Sequence, residues 1–243
     1  MNKGKRKTCL ITGASGDIGY EIVKQVVAEG YQVILHGNKN VEKLEELMNG
    51  LPEGSVLSYI QADLSTEEGI RSLVENLFFH VDSYVHASGK AYYGLFQETD
   101  DHDMKAMLNL HVYAPWKISK SLLPSMIQRQ DGHIILISSI WGEVGASHEV
   151  VYSSVKGAQN SFVKALAKEV GPSNIKVNAI SPGYIETKMN SQLTDEEKNQ
   201  IVNLIPAKRT GTPQDIAHMV TFLLHSKSNY INGQILRVDG GWI

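Results

Sequence analysis

Short apolar runs alternate with longer segments of helical period along almost the whole chain. The runs at 8–11, 32–36, 55–61, 82–87, 132–138, 176–180 and 234–238 are rich in Val, Ile and Leu, and several are nearly continuous in apolar residues. A strand buried on both faces reads this way. The intervening segments carry helix-start signals. Ser65 with Glu68, and Thr194 with Glu197, have capping-box spacing, and Thr212-Pro213 with Asp215 matches a capped start with a first-turn proline. Strand–helix alternation with short connections predicts βαβ units, hence an α/β fold with a parallel sheet covered by helices on both faces. No linker, repeat or low-complexity tract interrupts it, so residues 1–243 are expected to form one domain. The polar stretch 189–212 breaks the rhythm and reads as an inserted helix and loop, either a mobile substrate lid or an ordinary surface connection.

Composition narrows the function classes. A net charge of -3 leaves no cationic excess for phosphates, so no nucleic-acid partner is expected. No apolar run approaches the roughly 20 residues of a membrane span, and the basic start (Lys3, Lys5, Arg6, Lys7) reads as a solvated arm. The lone Cys9 excludes an internal disulfide and fits a cytoplasmic location. The nine histidines lack metal-ligand spacing and cysteine support, so no metal is expected.

Candidate chemistry begins after the first strand. Thr12-Gly-Ala-Ser-Gly-Asp-Ile-Gly19 leads into a helical pattern. A glycine turn entering a helix N-terminus offers backbone N–H groups and a favourable dipole to a diphosphate, and Gly13, Gly16 and Gly19 let the chain approach it closely. Asp17 would repel a diphosphate, and as a helix N-cap it would be turned away. The end of the second strand, Leu35-His-Gly-Asn-Lys39, has no acid to bind a ribose 2′-hydroxyl, so Asn38 and Lys39 tilt the reading toward NADP(H) over NAD(H). Asp63, beside Leu64, could contact the adenine or serve as a turn residue.

Tyr152-Ser-Ser-Val-Lys156 opens a long helical pattern, and residues four apart share a helix face. A cation beside a phenol is expected to lower its pKa toward neutrality, making it an acid or base for carbonyl reduction. Ser139 closes an apolar strand thirteen residues earlier and could orient a carbonyl oxygen, whereas Ser138 reads as a strand end. Trp141, Glu143, His148 and Glu149 would border the substrate mouth or belong to a surface loop. Met104, Met107, Leu108 and Leu110 read as a packing face and subunit contact rather than a cofactor surface.

These pieces together resemble the classical short-chain dehydrogenases/reductases over the whole chain, and within them the 3-oxoacyl-[acyl-carrier-protein] reductases. The match comprises Thr12–Gly19, Asn109 in Asn-Leu-His-Val, Ile137-Ser-Ser139, Tyr152–Lys156, Pro182-Gly-Tyr-Ile-Glu-Thr187, and the tail from Tyr230 to Gly241. The resemblance implies a Rossmann-like, doubly wound sheet of seven strands, with the dinucleotide side at about 8–110 and the catalytic side at about 111–243. It implies Tyr152 as general acid, Lys156 as its pKa-lowering and ribose-binding partner, Ser139 as the carbonyl ligand, and Asn109 as anchor of a relay water. It further implies cofactor contacts from Gly13, Ser15, Gly16, Asp17, Ile18, Gly19, Asn38, Lys39, Asp63, Leu64, Gly89, Pro182, Gly183, Ile185 and Thr187, and a homo-oligomer, tetramer or dimer. The ketone would be carried on acyl carrier protein in fatty-acid synthesis. The segment 138–147 also resembles reductases of a ketone-bearing lysine modification on elongation factor P. A small keto substrate and a non-catalytic dinucleotide sensor are the other readings. Three positions depart from the family: Asp17 stands at its second glycine, Gly16 where many NADP-dependent relatives carry a basic residue, and His86-Ala-Ser-Gly89 at its Asn-Asn-Ala-Gly.

Overall fold

A computed structural model describes residues 6–188 and 194–243. The strands are β1 Thr8–Thr12, β2 Gln32–Gly37, β3 Val56–Gln61, β4 Ser83–His86, β5 Gly132–Ile137, β6 Ile175–Pro182 and β7 Ile235–Val238. They form one seven-stranded sheet in the order 3-2-1-4-5-6-7, with every pair parallel. The expected Rossmann-like α/β fold is thus present, and each of the seven apolar runs falls on one of its strands.

Alternating side chains feed two cores. Leu10, Ile34, Tyr84, Ile134 and Val177 face one way, and Cys9, Ile11, Val33, Val85 and Ile135 face the other. Helices α1 (Asp17–Ala28), α2 (Val41–Asn49) and α9 (Pro213–Leu224) cover the second set. Helices α3 (Glu67–Glu75), α5 (Ala114–Arg129) and α7 (Val150–Val170) cover the first. Cys9 is fully buried, and burial pushes its thiol pKa up, as fits a small core residue.

Two of the three expected caps form. Thr194 starts α8 (Asp195–Leu204) with a complete capping box to Glu197, and Thr212 does the same for α9 with Asp215. The third shifts by one residue. Thr66, not Ser65, accepts the N–H of Gly69, because Ser65 donates both its backbone and hydroxyl protons to Asp63. Of the stretch 189–212, residues 189–193 lie outside the described residues, and the expected helix is α8. Of the basic start, Lys3 and Lys5 also lie outside them. Lys7 is not a free arm residue, since its ammonium pairs with Asp131 at 3.0 Å.

The order of the strands places a switch between β1 and β4, where the chain winds outward in both directions. A crevice opens there at the carboxyl ends of the strands, the usual ligand site of an open α/β sheet. Among the described residues no helix is long and apolar enough to cross a membrane, and no cluster of His, Cys, Asp or Glu could hold a metal.

Candidate active site

The turn between β1 and α1 begins at Gly13, with φ +72°. A Cβ there would lie 2.7 Å from Ala87 O and Ser88 N, so only glycine lets the turn pass the end of β4 this closely. Gly19 has a different task. Its Cβ would meet Gly13 O at 2.1 Å, so it packs the first helical turn against the loop. Gly16 is the N-cap of α1, and its side makes no side-chain cap bond. Asp17 is therefore the first helical residue and not the expected cap. Its carboxylate instead receives Lys43 Nζ at 2.7 Å and the Lys188 backbone N–H at 2.7 Å.

Beside this turn runs a cleft of about 580 Å³. Of the expected cofactor residues, Gly13, Ser15, Gly16, Asn38, Lys39, Asp63, Leu64 and Gly89 line it. Asp63 both lines the cleft and closes a turn on Ser65. Ile18 and Gly19 stand behind it in α1. Pro182 ends β6, and Gly183, Ile185 and Thr187 follow it; none of the four lines the cleft. There Gly183 N–H donates to Val238 O at 3.0 Å, and Ile185 is buried and bridged to Gly211. Met107 and Leu110 line the cleft as well, which corrects the expectation that they avoid the cofactor surface. Met107 is at the same time the buried packing residue the pattern indicated, while Leu108 faces outward.

The cleft holds residues the sequence did not single out. His36 is buried, accepts the Gly13 N–H through Nδ1 at 3.2 Å and donates from Nε2 to Ala62 O at 3.0 Å. It thereby ties together the carboxyl ends of three strands. Burial lowers its pKa to about 4, so it is neutral, as those two bonds require. His86, at the family's first asparagine, has the hydroxyls of Tyr84 at 2.8 Å and Thr12 at 3.0 Å within reach of Nδ1, whose one lone pair accepts from one of them at a time. It donates to Leu110 O at 3.1 Å. Ser88 Oγ is buried in the cleft wall without a partner among the described residues. A helix N-terminus beside the cleft, a glycine no larger residue can replace and an orphaned hydroxyl all suit a bound dinucleotide. The signal for His36 was its place two residues before Asn38. His86 and Ser88 were visible only as departures from the family pattern.

Ser139, Tyr152, Lys156 and Asn109 do not line this cleft; the first three gather at the end of β5. Ser138 bonds to Asn160 Oδ1 at 2.7 Å inside the fold, which confirms it as a structural strand end. Ser139 accepts the Trp141 N–H at 3.2 Å, and its hydroxyl is hydrogen-bonded to that of Tyr152. Lys156 is buried one helical turn below Tyr152, with Nζ 5.5 Å from the phenol ring centre and donating to Ile137 O at 2.8 Å. Asn109 begins a π-helical turn (Asn109–Tyr113) between α4 (Asp101–Leu108) and α5. Its amide donates to Ser65 O at 2.9 Å, leaving Oδ1 and one amide proton for a water. Ser139, Tyr152 and Lys156 are thus brought together, and Asn109 is fixed through the loop after β3.

The electrostatics differ from expectation. Burial pushes the Tyr152 phenol up to about 12, the bond from Ser139 opposes this, and the Glu149 carboxylate adds to it. Burial also brings Lys156 down to about 7. The expected lowering of the phenol by its ammonium neighbour is absent: loss of hydration dominates, and the lysine is committed to a carbonyl. A phenol at about 12 stays protonated at neutral pH, which suits an acid that gives its proton to an alkoxide.

The residues expected at the substrate mouth divide. Glu143 pairs with Arg237 at 2.9 Å and accepts from Ser181, and Trp141 packs edge-on against Trp242. Both fasten α6 (Trp141–Val144) to the C-terminal segment. His148 stacks on Tyr93 with centroids 5.2 Å apart, and Gly94 N–H donates to its carbonyl, so the segments flanking Tyr152 are joined at the entrance.

A cleft at the switch point beside a glycine turn, in a fold that also groups Ser139, Tyr152 and Lys156 after the neighbouring strand, defines a dinucleotide-dependent oxidoreductase. The chain belongs to the short-chain dehydrogenase/reductase family: a family model described as enoyl-(acyl carrier protein) reductase matches residues 13–243. It is 46% identical over 238 residues to the uncharacterized oxidoreductase YmfI of Bacillus subtilis, covering 97% of this chain and 98% of that one. It is 33% identical over 240 residues to the 3-oxoacyl-[acyl-carrier-protein] reductase FabG of Chlamydia trachomatis, covering 97% and 96%. Among solved structures, a putative NAD(P)-dependent gluconate 5-dehydrogenase from Beutenbergia cavernae with bound NADP superposes with a TM-score of 0.90 at 30% identity, covering 97% of this chain and 96% of that one. YwfH, an NADPH-dependent reductase of bacilysin biosynthesis, shares the fold with a TM-score of 0.91 at 23% identity, covering 98% and 99%.

Proposed function

We propose that this oxidoreductase uses NADPH to reduce a ketone to a secondary alcohol, and that its substrate is a 3-oxoacyl group on acyl carrier protein. The observation behind the reading is the hydroxyl pair of Ser139 and Tyr152 beside a buried Lys156, in a fold whose switch-point cleft suits a dinucleotide. When bound, the dinucleotide supplies the hydride. Ser139 holds the carbonyl oxygen, and Tyr152 gives that oxygen its proton as charge develops on it. Lys156, with a pKa of about 7, returns a proton to the phenolate and holds the adjacent ribose. Asn109 keeps a water near that lysine. Gly13, Ser15 and Gly16 form the wall along which the diphosphate lies, Asn38 and Lys39 face the ribose phosphate, and Pro182, Gly183, Ile185 and Thr187 flank the nicotinamide side. FabG relatives at about 33% identity support the carrier-bound substrate. The outward-facing Leu108, Tyr113 and Trp116 offer an apolar face for a homo-oligomer, dimer or tetramer.

A second reading, reduction of an aminoketone formed on a lysine of elongation factor P, is favoured by Glu149. Its half-buried carboxylate acts on Tyr152 electrostatically and has no ion pair among the described residues, so it could receive a substrate ammonium. A parallel assay separates the two. NADPH oxidation is followed with acetoacetyl-acyl carrier protein and with ketone-modified elongation factor P. Turnover of the carrier thioester, at least tenfold better with NADPH than NADH, is the expected result. Turnover of the translation factor alone selects the second reading, and failure with both contradicts the proposal.

A further inference from the structure

The glycine turn contains an acid that a diphosphate site should not tolerate unaided. Asp17 stands in the first turn of α1 where the family has a glycine, next to Gly16 of the cleft wall, and an uncompensated carboxylate there would add its charge to that of the cofactor. Two distant segments of the chain converge on it. Lys43, from α2, places Nζ 2.7 Å from one carboxylate oxygen. The backbone N–H of Lys188, just after Thr187, donates to the other at 2.7 Å. Lys43 is itself steadied over the ring of Tyr20, 5.2 Å from its centre. The two side chains are only 21% and 22% exposed, so water screens the pair far less than one on the open surface. Burial works to raise the Asp17 pKa, but the Lys43 and Lys188 bonds outweigh it and hold the group ionised.

We infer that Lys43 is a charge-compensating residue of the dinucleotide site, acting through Asp17: it cancels the carboxylate that the diphosphate would otherwise face, and the neutralised pair pins the segment after β6 to the glycine turn. The family's glycine needs no such cation, so the acid and the lysine form one unit. Neither Lys43 nor Asp17 lines the cleft; both act on it from behind Gly16, which separates this role from that of Lys39, a cation within it. The inference rests on the reading of that cleft as the NADP(H) site, and wild-type binding tests that reading separately.

A double-mutant cycle discriminates the roles. NADPH and NADH are titrated by nicotinamide fluorescence against wild type, Lys43→Met, Asp17→Gly and the double variant, with thermal melts confirming that each is folded. Lys43→Met is expected to weaken both dinucleotides at least tenfold, because both carry the diphosphate, with a smaller loss at high salt. Adding Asp17→Gly removes the uncompensated acid and is expected to restore binding to within about threefold of wild type. Lys43→Arg keeps the cation, is expected to bind like wild type, and serves as the probe should Lys43→Met fail to fold: loss of binding in that folded variant overturns the inference. A double variant as weak as Lys43→Met overturns it too, since Lys43 would then be touching the cofactor itself. So does a loss confined to NADPH, which would make Lys43 a 2′-phosphate ligand. A wild-type chain that binds neither dinucleotide overturns the cofactor reading, and this inference with it.

Discussion

Replacing Tyr152 by Phe is expected to cut turnover at least about a hundredfold while NADPH affinity stays within about twofold, the scale of a lost general acid. The substitution removes one oxygen and little else. The ring keeps its edge-on contact with His111, 5.8 Å between centroids, and its place beside Met107, Val112 and Val155. What disappears is the hydroxyl that bonds to Ser139 and carries the transferable proton. Stopped-flow binding and steady-state turnover on the same preparation check both halves. Near-normal turnover would reject Tyr152 as the acid.

A steep loss of stability between pH 7.5 and pH 5 is the second large effect. Burial lowers His36 to about 4, His86 to about 3 and His133 to about 4, against an unfolded value near 6.5. His111 is lowered well below its ordinary value by burial and by Lys156. A folded pKa below the unfolded one means that the unfolded chain binds more protons in the window between them. The stabilisation is therefore complete above about pH 6.5 and drains away as pH falls toward 4. At pH 5 each of the three costs about 2 kcal/mol, so together they rival the whole stability of an ordinary domain. The carboxylates held low, such as Asp215 at about 2, matter only at lower pH. The urea midpoint should drop sharply over this interval, and His86→Asn, which installs the family residue, should flatten the slope. A midpoint unchanged from pH 7.5 to pH 5 would contradict the burial of these rings.

The parts of the fold legible in the sequence were those set by local patterning. Ile134, Ile135 and Leu136 announce a strand buried on both faces because no polar residue interrupts them, and Thr212-Pro213 announces a helix because its chemistry is confined to one turn. The site residues at strand ends and on one helix face, Ser139, Tyr152 and Lys156, were legible for the same reason. Where the reading failed, a distant residue decided. Ser65 lost its cap to Thr66 because Asp63 claimed its protons. Asp17 found Lys43, 26 residues on, and Lys188, 171 residues on, instead of capping its own helix. The Tyr152 phenol rose because burial, which no spacing rule reports, outweighed the neighbouring lysine. Nothing local to histidines 36 and 111 signalled that the fold would bury them, and His86 stood out only as a departure from the family pattern.

The central claim is hydride delivery to a ketone with the proton coming from Tyr152, and its most direct test follows the hydride. NADPH carrying deuterium at C4, prepared in each stereochemical form, is turned over with the carrier-bound ketone, and the alcohol is analysed by mass spectrometry. One form should place a single deuteron on the carbinol carbon, with the other giving none, and the transfer should vanish with Tyr152→Phe. NADPH oxidised without label entering the alcohol from either form would contradict the account.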